Sequence, residues 1–349
     1  MTYLDEVVDP AELAEMLDEG YVQVRYHPDY PYAIYCYTKQ AMFDRKWNNT
    51  TMTCRGLIVN EDTSEVLARP FKKFFNYGEP NAPVFSTIDW VTVYDKADGS
   101  LGIAYETPDG PAIATKGSFT SEQAVKATEL LRAKYPKYDT EEHITDLFEI
   151  IYPENRIVLD YGERTELLYL GSIWIGDGVD YWNGILMDCY DIPKNRAMYT
   201  GTYTDVLGTI DLHRPNREGY VLLNEDTGDR LKMKQEDYLE LHKVMTGLNE
   251  RQIWEWCSEG KRWEEIAKAL PEEMHDWANP IVHDILNEFD ATVHAIETAY
   301  QYVLTNSADR KDFALRIKDR PALHKGVMFC MLDGQFDRAE QLIWKAVRP

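Results

Sequence analysis

The sequence predicts an α+β protein, in which a domain of antiparallel sheets with flanking helices is followed by an all-α domain. The chain has 349 residues, enough for two domains at roughly 100–200 residues each. Short runs of β-branched and aromatic residues alternate with helical segments up to residue 245, and from residue 246 long helical periodicity replaces them. We therefore predict two domains, 1–245 and 246–349.

The strands of the first domain are predicted from short runs rich in β-branched and aromatic residues. These runs are residues 32–37, 57–59, 90–94, 101–105, 156–159 and 220–223. Helices are predicted over 10–18, 120–135 and 235–246, the second of them capped by Thr120 or Ser121. The segment Thr107–Pro111 predicts a hairpin turn because it combines Pro, Asp and Gly between two apolar runs.

The second domain shows apolar residues at spacings of three and four, which indicates one buried face on successive helices. Prolines 271, 280 and 321 are expected to break these helices. The residues of the apolar faces are Ile253, Trp256, Cys257, Trp263, Ile266, Ala267, Leu270, Ile281, Ile285, Leu286, Phe289, Val293 and Ile296.

The composition is that of an ordinary globular protein, with 44% hydrophobic and 28% charged residues. The longest nearly apolar stretch, residues 167–176, is about half the ~20 residues that a membrane-spanning helix needs. The first residues include Asp5 and Glu6, unlike the basic start of a secretory signal peptide. We therefore expect a cytoplasmic protein with no membrane partner. The 5 cysteines are scattered without a C-x-x-C pair, so we expect buried thiols rather than disulfides or a zinc site.

The net charge of −23 restricts the partners of the protein, since 60 acidic residues outnumber 37 Lys and Arg residues. Such an excess repels the phosphate backbone of nucleic acids. A nucleic-acid partner therefore requires a local site, in which a few cations are concentrated in a cleft.

The segment Tyr94–Leu101 carries the strongest chemical signal, because Lys96 ends a predicted strand and is followed by a turn of Asp98, Gly99 and Ser100. A lysine that attacks a phosphate must first lose its proton, and desolvation and nearby cations favour that loss. Gly99 allows the backbone to approach a ligand closely. The alternative is a polar hairpin turn with a solvated lysine.

Further segments follow in a characteristic order. They are Cys54–Val59 with Arg55, Arg69–Asn76 with Lys73 and Phe75, Phe148–Glu149, Glu218–Val221, and Leu231–Lys234. Together with residues 96–100 this set resembles the covalent nucleotidyltransferase superfamily of ligases and capping enzymes, most closely the ATP-dependent RNA ligases of the T4 phage RNA ligase 1 type. The resemblance spans roughly residues 30–245.

The resemblance implies a role for each matching residue. Lys96 is the nucleophile of motif I, Glu149 of motif III grips the ribose hydroxyls, and Glu218 of motif IV holds a divalent metal. A Mg²⁺ ion favours carboxylate, water and phosphate oxygens, which fits this assignment. Taken singly, Glu218 is also typical of a turn.

The remaining matching residues are implied to bind the nucleotide. Lys232 and Lys234 of motif V alternate along an extended segment, so that both can address one phosphate cluster. The full set of nucleotide-binding candidates is Arg55, Lys73, Phe75, Gly99, Lys116, Glu149, Lys232, Lys234 and Tyr238. Lys116 is nearly as typical of an exposed strand end. The pair Lys232 and Lys234 also fits a solvated strand edge, and Phe75 a core strand. Residues 170–174 are the candidate for motif IIIa, with an ordinary buried strand as the equal alternative.

The resemblance implies an ATP-dependent RNA ligase that uses ATP and Mg²⁺ or Mn²⁺. It would join RNA 5′-phosphate and 3′-hydroxyl ends through a lysyl-AMP intermediate and an adenylylated RNA end. The resemblance also implies that the substrate is cleaved tRNA and that the protein acts in the cytosol of a phage-infected bacterium. It further implies that the C-terminal helices select the RNA substrate.

Two alternatives remain open at this point. A DNA ligase or a GTP-using capping guanylyltransferase shares the lysine chemistry, although no β-rich segment typical of an OB fold follows residue 245. A non-catalytic RNA-binding protein with the same fold is the other alternative, although every charged position that the chemistry needs is present.

Overall fold

A computed structural model describes the whole chain except residues 156, 182–183, 215, 236–237, 239–247 and 271–273. The chain divides into two compact units, Met1–His242 and Lys243–Pro349. The first contains antiparallel sheets with flanking helices and the second contains helices, so the predicted α+β class is confirmed. The predicted boundary between residues 245 and 246 falls outside the described residues.

The strands and helices of the first unit follow in chain order. The strands are β1 (Val22–Tyr26), β2 (Tyr32–Tyr37), β3 (Arg55–Asn60), β4 (Val66–Ala68), β5 (Phe75–Asn76), β6 (Trp90–Lys96), β7 (Ser100–Tyr105), β8 (Ala112–Thr115), β9 (Ile144–Ile151), β10 (Glu166–Trp174), β11 (Asp180–Tyr181), β12 (Ala197–Thr202), β13 (Gly219–Asn224) and β14 (Arg230–Lys234). The helices are α1 (Leu4–Val7), α2 (Pro10–Asp18), α3 (Lys39–Phe43), α4 (Asn49–Thr53), α5 (Glu122–Lys134), α6 (Gly184–Cys189) and α7 (Tyr203–Leu207), with a 3₁₀ turn at Pro153–Asn155.

The described strands form three sheets. Sheet I has the order β1-β2-β3-β4, sheet II the order β11-β10-β9-β7-β8, and sheet III the order β12-β6-β13-β14-β5. All pairs are antiparallel except β14 with β5, which is parallel. Because neighbours such as β6 and β13 are far apart in sequence, the sheets bring distant segments together.

The turn after Lys96 passes from one sheet to another. Lys96 ends β6 in sheet III, and Ser100 begins β7 in sheet II. The hairpin alternative for this turn is therefore wrong. At Gly99 the chain lies so close to β9 that a Cβ would be 2.6 Å from the carbonyl oxygen of Ile150. Only glycine fits there, so Gly99 is required by the packing of the turn against β9.

Most predicted elements of the first unit are confirmed, including the helices over 10–18 and 120–135 and the hairpin turn at Thr107–Pro111 between β7 and β8. The predicted strand over 156–159 is wrong, since residues 157–159 form a bend and residue 156 is not described. The backbone N–H groups of Val158 and Leu159 donate to the Asp98 carboxylate instead of to a neighbouring strand. The predicted helix over 235–246 lies largely outside the described residues.

The second unit is helical throughout its described residues. Its helices are α8 (Glu250–Ser258), α9 (Trp263–Ala269), α10 (His275–Thr305), α11 (Arg310–Ile317), α12 (Ala322–Leu332) and α13 (Phe336–Ala346). The predicted break at Pro280 is wrong, because α10 runs through it for 31 residues. Pro280 lies near the start of the helix, where its missing N–H removes one backbone hydrogen bond from a long series. Pro321 directly precedes α12 as expected, and Pro271 lies outside the described residues.

The amphipathic faces of these helices pack against each other. Ile296 of α10 is fully buried in a cluster with Phe313 and Ile317 of α11 and with residues of α12 and α13. Four of the five cysteines are buried thiols as predicted, whereas the prediction is wrong for Cys189, which is exposed. Within the described part of the chain, every helix is too short or too polar to cross a bilayer.

We expect Ile296→Ala to lower the free energy of unfolding by about 2–5 kcal/mol, because it removes a fully buried side chain and leaves a cavity. Leu304→Ala on the same helix is the control, since Leu304 is 39% exposed and its loss leaves little cavity. Urea unfolding followed by circular dichroism measures both. Equal losses in the two variants would contradict this assignment of the helical core.

Candidate active site

The centre of the candidate site is a buried carboxylate shared by two lysines. Glu218 immediately precedes β13, whose first residue, Gly219, pairs with Lys96 of β6 on one side and with Lys234 of β14 on the other. The Nζ atoms of Lys96 and Lys234 lie 2.8 Å and 3.2 Å from Oε1 of Glu218. The Lys96 side chain remains 22% exposed, whereas that of Glu218 is 4% exposed. The carboxylate of the cluster is therefore buried, whereas Lys96 is accessible to a ligand.

Gly219 makes this close arrangement of strands possible. Its φ angle is +154°, and a Cβ at this position would lie 2.2 Å from the carbonyl oxygen of Met233. A side chain would push β13 away from β14. The glycine of the Glu218-Gly219 pair is therefore needed for the register that places Glu218 between the lysines.

Glu149 forms a second buried carboxylate beside the cluster. It lies on β9, every residue of which is buried, and it accepts a hydrogen bond from the backbone N–H of Gly99. Burial raises the pKa of Glu149 to about 7, with a further rise from the charges of Glu218 and Asp98 and an opposing effect from Lys96. The turn at Gly99 thus brings Glu149 within electrostatic range of Lys96, which stands at the start of the turn.

Asp98 anchors the turn on its other side. This buried carboxylate accepts hydrogen bonds from the N–H groups of Val158 and Leu159 and, at 2.9 Å, from the hydroxyl of Tyr238. Its own N–H donates to the hydroxyl oxygen of Tyr161 at 2.9 Å. We assigned no role to Asp98 from the sequence, although it stands inside the Lys96 turn. Tyr238, predicted to bind nucleotide, therefore has its hydroxyl directed at Asp98.

A second group of predicted residues lies along a row of aromatic rings. Tyr37, Trp47 and Phe75 follow each other edge to face, with ring centroids 5.2 Å and 5.6 Å apart. The Nζ of Lys73 lies 4.7 Å from the Phe75 ring and 5.3 Å from the Trp47 ring, and the Nζ of Lys116 lies 4.5 Å from the Tyr37 ring. Aromatic faces attract ammonium groups, so the row positions both lysines. No sequence signal identified Trp47.

Lys116 is half-buried rather than an exposed strand end. Its Nζ donates to the hydroxyl oxygen of Tyr37 at 3.2 Å. Burial alone lowers the pKa of Lys116, but Tyr37 and Cys36 outweigh burial and the repulsion from Arg55, so the pKa is raised. Gly56 allows β3 to approach the backbone of Lys116 closely, because a Cβ at position 56 would lie 3.1 Å from the carbonyl oxygen of Lys116. Arg55 therefore lies within electrostatic range of Lys116.

Phe74 connects this second group to β14. The guanidinium carbon of Arg55 lies 5.5 Å from the Phe74 ring, and the Nζ of Lys232 lies 5.2 Å from it. Arg55 also donates to the carbonyl oxygen of Phe71 at 3.3 Å. Lys232 and Lys234 lie two residues apart on β14, so their side chains leave the same face of sheet III.

The structure thus arranges the predicted residues in two groups joined by β14. The first contains Lys96, Gly99, Glu149, Glu218, Lys234 and Tyr238; the second contains Arg55, Lys73, Phe75, Lys116 and Lys232. Residues 170–174, the candidate for motif IIIa, lie in β10, where the hydroxyl of Ser172 is buried and donates to Asp146. That segment therefore forms a strand in which Ser172 and Ile173 are buried and Trp174 is exposed.

The described residues contain no cluster of three or more His, Cys, Asp or Glu that could enclose a metal ion. A Mg²⁺ ion is commonly bound by one or two carboxylates together with substrate phosphates. Glu218 and Glu149, which influence each other electrostatically, meet that smaller requirement. The donor set therefore fits a metal brought in with phosphates and does not fit a metal held by protein ligands alone.

Comparison with known proteins connects this geometry to RNA ligases. Residues 53–175 match the model of a protein family described as RNA ligase, of the T4 type 1. This segment includes Arg55, Lys73, Lys96, Lys116 and Glu149. The predicted resemblance to RNA ligases of the T4 phage RNA ligase 1 type is confirmed for this part of the chain.

Curated relatives with 21–29% identity align over between about half and four fifths of the chain. An RNA ligase of Rhodothermus phage RM378 is 21% identical over 367 residues, covering 83% of each chain. A putative RNA ligase of Thermovibrio ammonificans is 29% identical over 56% of this chain. A putative bifunctional polynucleotide kinase/RNA ligase of Autographa californica nuclear polyhedrosis virus is 24% identical over 70% of this chain. The chain spans 54% of the length of the Thermovibrio protein and 38% of that of the viral protein.

Solved structures of ligases also align with the chain. An archaeal ATP-dependent RNA ligase aligns over 88% of this chain and 85% of its own, with 13% identity and a TM-score of 0.47. A mutant Naegleria gruberi RNA ligase with ATP and Mn aligns over 44% of this chain and 52% of its own, with 17% identity and a TM-score of 0.35.

The raised pKa of Glu149 predicts a pH-dependent loss of stability. A carboxyl whose pKa is about 7 when folded and about 4.3 when unfolded favours the folded state at low pH, and this advantage is lost as pH rises towards 7. Glu149→Gln cannot ionise. We therefore expect the wild type to lose stability relative to this variant between about pH 5 and 7.

Chemical denaturation at a series of pH values measures this difference. Glu154→Gln is the control, because Glu154 is exposed on the 3₁₀ turn and should follow the wild type. Stability curves for Glu149→Gln and wild type that run parallel through this pH range would contradict the raised pKa.

Proposed function

We propose that the protein is an ATP-dependent RNA ligase that joins RNA 5′-phosphate and 3′-hydroxyl ends. The observation that carries this proposal is the shared contact of Lys96 and Lys234 with Glu218, in a chain whose residues 53–175 match RNA ligases. Lys96 is the one lysine of that cluster whose side chain combines partial exposure with a position at the start of the Gly99 turn.

In the first step the Lys96 Nζ, after losing a proton, attacks the α-phosphorus of ATP. An N–P bond forms, the bond from that phosphorus to the bridging oxygen breaks, and pyrophosphate leaves with the bonding electrons. The product is a lysyl-AMP phosphoramidate. Negative charge on the phosphate oxygens must be stabilised along this path, and electrostatic stabilisation by positioned cations is the largest contribution that such a site offers.

The cations of both groups supply that stabilisation. Lys234 lies beside Lys96 on Glu218, and Arg55, Lys73, Lys116 and Lys232 form the second group, which would contact the β- and γ-phosphates. A bound Mg²⁺ or Mn²⁺ would add positive charge at the phosphate oxygens, with Glu218 as its protein ligand. Glu149 would accept or donate hydrogen bonds with the ribose hydroxyls. Phe75 is buried against Lys73 and Trp47 and therefore acts through the position of Lys73.

Two further transfers complete the reaction. The AMP moves from Lys96 to the 5′-phosphate of an RNA, releasing the lysine, and the 3′-hydroxyl of a second RNA end then attacks the activated phosphate and expels AMP. We propose cleaved tRNA as a repair substrate and residues 246–349 as the part that selects among RNAs. Phage relatives support a setting in the cytosol of an infected bacterium.

The decisive experiment incubates the purified protein with α-labelled ATP and Mg²⁺ in the absence of RNA. We expect the wild type to retain label after acid treatment, and Lys96→Ala and Lys96→Arg to retain none. Arginine keeps the charge but does not deprotonate, so it cannot act as the nucleophile. Lys126→Ala, which changes an exposed lysine on α5, is the control and should label normally.

Other results of the labelling experiment would support one of the alternatives. Labelling from GTP in place of ATP would indicate a capping-type enzyme, and sealing of nicked DNA in preference to RNA would indicate a DNA ligase. Absence of any label in the wild type would leave a non-catalytic RNA-binding protein. Label at the wild-type level in Lys96→Ala would show that another residue is the nucleophile.

Glu218→Gln should slow self-adenylylation by about 10²–10³-fold, because it removes the charge that holds Lys96 and Lys234 and would bind the metal. Glu225→Gln is the control, since Glu225 follows the other end of β13 and is exposed. The rate of label incorporation under single-turnover conditions measures both variants. A near-normal rate in Glu218→Gln would exclude the proposed role of this carboxylate.

A further inference from the structure

The charge of the chain is distributed unevenly along its length. Residues 310–349 contain nine Lys and Arg residues and five Asp and Glu residues, a net charge of +4. The preceding 309 residues contain 28 and 55, a net charge of −27. The last helices are therefore basic within an otherwise strongly acidic protein.

Helix α11 displays part of this positive charge on a single side. Phe313 and Ile317 are buried and fix the inward side of the helix. Lys311 and Lys318 are exposed and lie seven residues apart, which is two helical turns, on the side opposite to that pair. Their backbone positions are about 10 Å apart along the helix axis. Leu315 lies between them and is 60% exposed.

Two neighbouring arginines are already neutralised. Arg310 contacts Asp333 through both of its terminal nitrogens, and this pairing fixes the start of α11 to the end of α12. Arg316 contacts Asp312 one turn earlier in the same helix, at 3.1 Å. These arginines therefore have local structural partners.

Lys311, Lys318 and Arg320 differ from them. Among the residues that the structure describes, no carboxylate makes an ion pair with any of the three. The Nζ of Lys325 donates to the carbonyl oxygen of Lys318 at 3.1 Å, which fixes the backbone at the end of α11. The three cations, which we name the α11 basic surface, are thus held on an ordered segment and remain available to an anion.

We infer that the α11 basic surface binds the phosphate backbone of the RNA substrate. This inference rests on the proposed function for the identity of the partner. A polyanion fits because the exposed Lys311 and Lys318 stand on one side of α11, the half-buried Arg320 follows two residues later, and an acidic chain can bind RNA only where cations are concentrated. Contacts to phosphates position an RNA without reading its sequence, so the surface would serve affinity and placement.

The test uses the full chain with Lys311→Gln, Lys318→Gln and Arg320→Gln combined, and a 5′-phosphorylated single-stranded RNA as probe. Fluorescence anisotropy gives the Kd between about 50 and 200 mM salt. Each phosphate contact contributes about 0.7 to the slope of log Kd against log salt for single strands, so the slope should fall by about 2. A variant with Lys126→Gln, Lys137→Gln and Arg196→Gln removes the same charge from exposed positions of the first unit and should keep the wild-type slope.

Self-adenylylation with ATP alone separates this inference from the proposed function. Adenylylation at the wild-type rate in the α11 variant, together with the smaller salt slope, supports the inference. Adenylylation at the wild-type rate with an unchanged slope overturns it and leaves the proposed function intact. Lys311→Arg with Lys318→Arg retains the charge and should restore the slope; a slope that stays low in this variant would also overturn the inference.

Discussion

The contact of one buried carboxylate with two lysines is the constraint on which the rest of the site depends. A buried anion is costly unless charged partners surround it, and Glu218 has Lys96 and Lys234 within 3.2 Å. The two lysines come from β6 and β14, and Glu218 directly precedes β13, which lies between those two strands in sheet III. The order of the strands and Gly219 therefore position the three charged groups as well as forming the sheet.

The passage of the chain from sheet III to sheet II completes the site. At Gly99 the chain crosses against β9, so that Glu149 accepts the Gly99 N–H and lies near Lys96. Asp98 binds the bend at residues 158–159 and the Tyr238 hydroxyl from the other side. The residues around Lys96 thus form a fixed frame, within which the Lys96 side chain remains partly exposed.

Much of this site could be predicted from the sequence because its residues occur in local motifs whose order is distinctive. Lys96, Glu218 and Lys234 were identified in this way, and most strands followed from β-branched and aromatic runs. Non-local partners could not be predicted. Residues 157–159 have the composition of a strand, but they form a bend because the N–H groups of Val158 and Leu159 donate to Asp98, about sixty residues away. Trp47 lies in a polar segment with no periodic pattern, and its place between Tyr37 and Phe75 depends on the pairing of distant segments.

The central claim is that Lys96 is the group that becomes covalently bonded to AMP. Mass spectrometry of the proteolysed protein, after incubation with ATP and Mg²⁺ and without RNA, tests it directly. We expect the mass of one adenylyl group on the peptide that contains Lys96, with fragmentation assigning it to this side chain and with Lys234 and Lys232 unmodified. An adenylyl group on another residue would contradict the account.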